Sequence, residues 1–371
     1  MQRAGKGFDV PSKGIAQLLA TGLGRLVASI FVPVITFIGL WQGFLFLRDS
    51  DAPKLVVVVV AIVWGVGGVA LLYLVSNWLA EKLPIAWRDR VLPFIFVGPA
   101  VAILACYLLI PALLSVAFSF LDATSSNFVG LKNYVYAFTN TAMLTAIRNN
   151  VLWLVLGTGL STGLGLLIAL LAERSRLDRV AKTLIFLPMA ISFVGASVVW
   201  RFVLAYQPAG APQIGLLNAI LGAVGLGPVS WLTGEPFNTL VMIVILVWGQ
   251  TGFAMVILGA ALKGVPEEYL EAGRIDGATE VQIFRRIILP EIWPTVVTVS
   301  TTIAILTLKI YDIVTTMTGG NFGTDVIATL QFKQMFTFFD YGRGSALAVI
   351  LLVCVMPVVW YNLRQFQARS R

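Results

Sequence analysis

The sequence predicts an all-α, polytopic membrane helix bundle. Of 371 residues, 58% are hydrophobic and only 12% are charged, about half the charge that covers a soluble surface of this size. The apolar residues gather in eight runs, each able to cross a bilayer, which takes about 20 residues. Lysine and arginine concentrate in alternate connecting segments, which gives the bundle a direction. These observations exclude a water-soluble enzyme. They also exclude a nucleic-acid-binding domain, because the net charge of +8 is distributed by membrane side rather than gathered in a patch.

In chain order the expected transmembrane helices are 26–47, 55–80, 91–120, 150–172, 183–206, 237–262, 295–317 and 344–363. The first follows Arg25, is too long for a signal-peptide core and lacks a small-residue cleavage site, so it is expected to be retained. The third is overlong and holds Pro93, Pro99 and Pro111, which predicts a kink or tilt. Eighteen of the 26 basic residues fall in 1–25, 81–90, 173–182, 263–294 and 364–371, against six in 48–54, 121–149, 207–236 and 318–343. The first set, with both termini, is therefore expected on the cytoplasmic side, facing anionic lipid. Cys106 and Cys354 lie inside apolar runs and read as small packing residues. The absence of histidine removes His relays and most zinc sites, and no catalytic or metal-ligating residue is nominated.

Segment 263–294 is the longest cytoplasmic connection, at 32 residues. Pro266, Glu267 and Glu268 suit the first turn of a helix. Leu270, Glu271, Ala272 and Arg274 continue it, and Gly277 marks a stop or bend. Thr279 with Gln282 is a capping-box pattern opening a second helix. Val281, Phe284 and Ile288 are expected on its apolar face, Arg285 and Arg286 at its end, and Pro290 as its close. Acids in the first helix would be repelled by anionic lipid. Ala272, Gly273 and Gly277 form a surface of small residues, so the pair reads as a knob for the groove of a cytosolic partner.

The spacing in this hairpin resembles the EAA loop of ABC importer permeases, in which Glu-Ala-Ala is followed by a glycine and then by Ile-x-Leu-Pro. Here the positions are Glu271-Ala272-Gly273, Gly277 and Ile287-Ile288-Leu289-Pro290, with Asp276-Gly277-Ala278 also alike; Gly273 for alanine is the departure. The stretch 128–134 (FVGLKNY), Ile185-Phe186-Leu187-Pro188 and Thr318-Gly319-Gly320-Asn321 are similar to segments of sugar permeases. The likeness covers roughly 91–371. With two helices added ahead of six, the chain resembles the larger membrane subunit of maltose-type importers, although 121–149 has no room for that subunit's large periplasmic domain.

The resemblance implies a type I ABC importer permease fold in the cell (inner) membrane. Residues 1–90 would be a cytoplasmic segment with two accessory helices, and 91–371 the six-helix transport domain. The implied partners are a second homologous permease, two ATPase subunits, an extracytoplasmic substrate-binding protein, membrane lipid and a sugar, with an α-glucoside preferred. ATP and Mg would sit on the ATPase, since this chain has no GxxxxGK[ST] loop. Coupling to that ATPase is implied for Glu271, Ala272, Gly273, Asp276, Gly277, Leu289 and Pro290. Glu271 would make a charge-assisted contact and Gly277 would set the bend.

Polar residues within spans are costly and usually face a bundle interior. The seventh span carries Thr301, Thr302, Thr307, Lys309, Tyr311 and Asp312; the sixth carries Trp248, Gly249, Gln250, Thr251 and Phe253. Lys309 and Asp312, three apart, are expected to meet on one helix face. Rings, amides, hydroxyls and charges together suit a sugar. By resemblance, sugar contacts fall at Gly249, Gln250, Phe253, Thr302, Ile305, Leu306 and Lys309; amides usual at Leu306 and Lys309 are replaced, so specificity does not carry over. Lys309 with Asp312 also reads as a packing ion pair, Thr302 as bonded to its own backbone, and Arg201 as snorkelling. Loop 207–236 has no basic residue and is expected to face outward toward the binding protein. Two alternatives stay open: an ion-coupled secondary transporter using Lys309 and Asp312, which leaves the hairpin idle, and an ABC permease for a non-sugar solute.

Overall fold

The computed structural model describes residues 22–49, 52–81, 85–173 and 178–369. Among the described residues the regular structure is helical, apart from one isolated β-bridge between Leu121 and Phe128. The chain forms two compact units, Met1–Ala112 and Leu113–Arg371.

In the first unit, α1 (Gly22–Arg48) packs on α2 (Lys54–Glu81). Gly43 leaves room for the Trp64 indole and Gly68 for Leu40, so a Cβ at either would overlap its neighbour. The Trp64 Nε1 donates to the Leu40 carbonyl at 3.3 Å. Next comes α3 (Ile85–Leu104), a π turn Ala105–Leu109, and α4 (Ile110–Phe118). The expected irregularity is thus a π turn set just ahead of Pro111. Proline lacks an N–H and clashes with the preceding turn; the wider π turn takes up that misfit.

The second unit contains α5 (Lys132–Thr139), α6 (Thr141–Leu152), α7 (Thr158–Glu173), α8 (Asp178–Phe186), α9 (Phe193–Val203), α10 (Leu216–Ala223) and α11 (Phe237–Lys263). After these come α12 (Glu267–Ile275), α13 (Glu280–Ile283), α14 (Leu289–Leu308), α15 (Asp312–Met317), α16 (Ile327–Phe332) and α17 (Tyr341–Arg369). Helix α11 is the axis of this unit, with most of its residues buried. It lies closest to α7, where Gly165 faces Ala254 and the Met255 amide with no space for a Cβ, the small-residue packing that membrane helices use in place of a hydrophobic drive. One core cluster gathers Trp153, Met242, Leu246, Ile313 and Val314. A second gathers Ala254, Met255, Leu258, Val299 and Ile303.

Six helices among the described residues are long and apolar enough to cross a membrane, or seven if one bent pair counts as a span. They are Lys54–Asn77, Phe96–Phe118, Thr141–Ala172, Phe237–Lys263, Glu280–Leu308 and Tyr341–Asn362. Four expectations are corrected. The span expected at 150–172 starts at Thr141, so Asn149 belongs to a helix rather than an outer loop. The span expected at 183–206 is not one helix: Val180–Ala190 and Phe193–Val203 meet at 103°. There Ser192 caps α9, its Oγ accepting from the Gly195 N–H at 3.1 Å, after a 3-10 turn that contains Pro188. The span expected at 295–317 stops at Leu308. Finally, Cys106 and Cys354 are exposed rather than packed in a core.

Loop 207–236 is folded around one side chain. Asn218 is fully buried and donates to the carbonyls of Ala205 (3.0 Å) and Val229 (3.1 Å). Its Oδ1 accepts from the Val229 N–H (2.9 Å) and the Trp231 Nε1 (3.1 Å), so the whole amide is satisfied.

Candidate coupling hairpin and solute path

Helix α12 ends in a Schellman motif. Gly277 has φ +79, the Gly277 N–H bonds the Arg274 carbonyl and the Ala278 N–H bonds the Gly273 carbonyl, both at 3.0 Å. The capping box follows at once: Thr279 N–H donates to Gln282 Oε1 (2.8 Å) and Gln282 N–H to Thr279 Oγ1 (3.3 Å). Arg274 and Glu280 pair across the elbow at 3.3 Å, but both are half exposed, so the pair adds little.

Three expectations about the hairpin fail. Gly273 is buried, and a Cβ there would sit 2.9 Å from Ile287 Cδ1 and 3.4 Å from Ile283 Cγ1. It seals the two helices to each other instead of presenting a small surface to a partner. The inward face of the second helix runs through Ile283 and Ile287, while Val281 is 65% exposed. Nor does Pro290 close that helix. A π turn, Phe284–Ile288, precedes it and the helical run Glu280–Leu308 passes straight through, the same device found ahead of Pro111. What the elbow leaves uncovered is Glu271, Ala272, Asp276, Gly277 and Pro290, with Leu289 half-buried. Beside them stand Tyr269 and Ile275, the latter 86% exposed.

The residues expected along a solute path sit at two helix breaks. Gly249, Gln250 and Phe253 lie mid-way along α11. The bend between α8 and α9 rests against them: Gly252 meets the backbone of Ile185 and Phe186, and Phe193 Cε1 lies 3.5 Å from where a Cβ on Gly249 would be. Gln250 is 7% exposed, and its amide has no partner among the described residues. The side chain is largely covered, but its amide is not among the fully buried polar atoms left without a partner, so it keeps its bonding capacity. Trp200 stands edge-on to Trp248 at 5.9 Å.

Thr302 donates to the Thr298 carbonyl (2.8 Å), Thr301 to that of Val297 (2.9 Å) and Thr307 to that of Ile303 (2.7 Å). Those hydrogens are spent on their own helix, leaving the oxygens as acceptors. Ile305 is half-buried, and Leu306 and Lys309 are exposed. The expected meeting of Lys309 with Asp312 on one helix face does not occur. Lys309 is the C-cap of α14, Tyr311 is non-helical, Asp312 starts α15, and no ion pair or hydrogen bond joins the two. Arg201 is exposed and reaches the Thr316 carbonyl at 3.5 Å. Phe253 packs on the cluster holding Ile303, whereas Lys309 opens onto a groove lined by Tyr311, Gln331 and Phe332 but not by Gln250 or Thr302.

Three asparagines missed in the sequence organise this region. Asn149 donates to the carbonyls of Gly323 (2.7 Å) and Asp325 (2.8 Å), and Asn238 to that of Phe322 (2.7 Å). Asn150 donates to the Leu308 carbonyl (3.2 Å) and accepts from the Ile327 N–H (2.8 Å). The adjacent Asp325 is held by Lys333 (2.9 Å) and Thr329 (2.8 Å). Paired asparagines beside a long apolar run were the available signal.

Residues 161–370 match the family of binding-protein-dependent transport system inner membrane components. The chain belongs to that family. It is a transport subunit, the membrane permease of an ABC importer. It is 56% identical over 276 residues to an osmoprotective compounds uptake permease of Synechocystis, covering 74% of this chain and 99% of that one. It is 47% identical over 283 residues to the alpha-glucoside transport system permease of Rhizobium meliloti, covering 76% and 84%. Its fold is similar to that of a bacterial ABC transporter involved in alginate import, with TM-score 0.66 at 20% identity, over 78% of this chain and 100% of that chain.

Proposed function

We propose that this permease carries a sugar, an α-glucoside by preference, as one of two paired permease subunits in an ATP-driven importer. The observation that carries the mechanical part is the elbow at Gly277: its outer face is bare, and its second half is continuous with the membrane helix Glu280–Leu308. A pair of separate ATPase subunits, holding ATP and Mg, would grip Glu271, Ala272, Asp276 and Ile275, with Gly273, Leu289 and Pro290 fixing the hairpin behind them. ATPase closure then moves that helix bodily, and the path opens alternately to each side. An extracytoplasmic binding protein delivers the sugar at loop 207–236, and Gly249, Gln250, Phe253, Thr302, Ile305, Leu306 and Lys309 line its route. In this reading eight helices span the cell membrane, both termini are cytoplasmic, 1–90 is an accessory segment and 91–371 the transport domain.

The sugar preference draws support from the relatives named for alpha-glucosides and for trehalose/maltose. The uncoupled positions of Lys309 and Asp312 remove the motive for an ion-coupled reading. The test is uptake of labelled maltose, trehalose and sucrose by cells carrying the whole importer. Glu271→Ala and Gly277→Val should remain in the membrane, lose ATPase binding and lose uptake; unimpaired uptake by both refutes the coupling role. Uptake that survives ATP depletion but falls with ionophores would refute the ATP-driven reading.

A further inference from the structure

We propose that the break between α14 and α15 holds an entry subsite for a glycoside, in which Lys309, Tyr311, Gln331 and Phe332 receive the sugar before it reaches Gln250 and Thr302. The inference rests on the sugar-importer reading above. Irregular backbone at membrane depth is tolerated where it is enclosed by protein or lines a wet cavity. Here the helix stops at Leu308, Lys309 and Tyr311 leave helical geometry, and a cavity of about 460 Å³ opens between Lys309, Tyr311, Gln331, Phe332 and the α17 residues Leu351 and Leu352. That volume is in the range of small-molecule sites, roughly 300–1,000 Å³.

The break is held in shape by one buried amide. Asn150, 4% exposed, bonds the Leu308 carbonyl on one side and the Ile327 N–H on the other. It thereby fixes the end of α14, with Lys309, opposite the start of α16, which carries Gln331 and Phe332. Asn150 is a positioning residue for the cavity.

The groups that line the cavity have bonding capacity to spare. Lys309 is exposed and has no ion pair or hydrogen bond among the described residues, whereas Lys333, on the π turn after α16, is tied to Asp325. The Tyr311 hydroxyl has no partner among the described residues, and the Gln331 amide has only the sulfur of Met335 at 4.0 Å, a weak acceptor. Between them runs an aromatic row: Tyr311 to Phe332 at 5.4 Å and Phe332 to Phe336 at 4.9 Å. An apolar ring for the C–H face of a sugar, flanked by an unspent ammonium, amide and phenol for its hydroxyls, sits in an open groove otherwise lined by the aliphatic Ala328, Ala348, Leu351, Leu352 and Val355, a few polar groups on an apolar wall as ligand sites use them. Thr302 lies seven residues back along α14, about 10 Å at helical rise, so this cavity is a separate stop farther from the hairpin.

The test uses the whole importer in proteoliposomes, with Cys106→Ser and Cys354→Ser as background and Gln331→Cys as reporter. A charged, membrane-impermeant thiol reagent should label Gln331→Cys, and trehalose or maltose should slow the labelling. Phe332→Leu should raise the sugar concentration for half-maximal uptake roughly tenfold, more than it lowers the maximal rate, with recovery in Phe332→Tyr. No labelling, as for a groove filled by lipid or by the second permease, overturns the inference. So does labelling unaffected by sugar, or an unchanged half-saturation in Phe332→Leu. Wild-type importer that takes up none of these sugars overturns the sugar reading and this inference together. Uptake by wild type with an unprotected reporter overturns this inference alone.

Discussion

At one end of the helical run Glu280–Leu308 the chain turns at Gly277; at the other it breaks at Lys309. Both end the same helical run, yet they are specified differently. The Gly277 turn is written within a few residues: a glycine at positive φ, a Schellman pair and a capping box. The Lys309 break has no glycine, proline or cap of its own. It is dictated by Asn150, 158 positions away in the chain, and by the loop that Asn149 and Asn238 hold. A local turn survives changes elsewhere in the fold. A break imposed from a distance fails when its remote partner is lost.

The sharpest test of that contrast is Asn150→Ala. It leaves the Leu308 carbonyl and the Ile327 N–H buried without partners, which should cost about 2–4 kcal/mol and lower the unfolding temperature of purified protein in detergent. An unchanged midpoint would show that the break is self-sufficient. Next is Gly277→Val. No atom lies within 4 Å of a Cβ built there, so the cost is conformational alone, about 1–2 kcal/mol. Gly277→Asn, which tolerates the left-handed region, should restore ATPase binding in pull-down assays; a failure to rescue would mean that the side chain rather than φ matters.

How far each end can be read from sequence follows the same division. The hairpin was legible because its signals are adjacent and exposed to water. Its three errors, the role of Gly273, the face given to Val281 and the passage through Pro290, all concern how the second helix packs on or continues into its neighbours. The bend at Ser192 was hidden because apolar residues continue on both sides of it; locally it is marked only by the 3-10 turn with Pro188 and the Ser192 cap, and the bent segment rests on Gly252. Lys309 and Asp312 misled because hydropathy runs on to Met317, so a continuous helix is the natural reading. Gln250 was found from its chemistry, a polar side chain in a span, and the structure places it mid-way along α11, where the α8–α9 bend packs. Tyr311 was noticed in sequence, but Gln331 and Phe332 lie in what reads as an outer loop.

Smaller effects refine the picture. Gly273→Ala should change stability by less than about 1 kcal/mol, because the atom in the way is the mobile end of Ile287. A loss of several degrees in unfolding temperature would mean the hairpin cannot yield. The turn at Asp122 is a third local device. The Asn127 side chain, then the Ser126 N–H, hold its carboxyl down at about 2 against an ordinary 3.8. A depressed carboxyl favours the folded turn above the ordinary value and loses that contribution as pH falls through about 2. Amide-exchange protection of 122–127 should therefore persist at pH 3, and Asp122→Asn should lower it and remove its pH dependence.

The uninterrupted passage through Pro290 has a geometric consequence. From Glu280 to Leu308 there are 29 residues, a rod of about 43 Å. Pivoted at its hairpin end, it would carry its far tip about 7 Å for a tilt of about 10°. If the proposed partner pushes on the hairpin, a modest displacement there is magnified into a stroke wider than a sugar ring, which a hinge at Pro290 would have absorbed instead of transmitting.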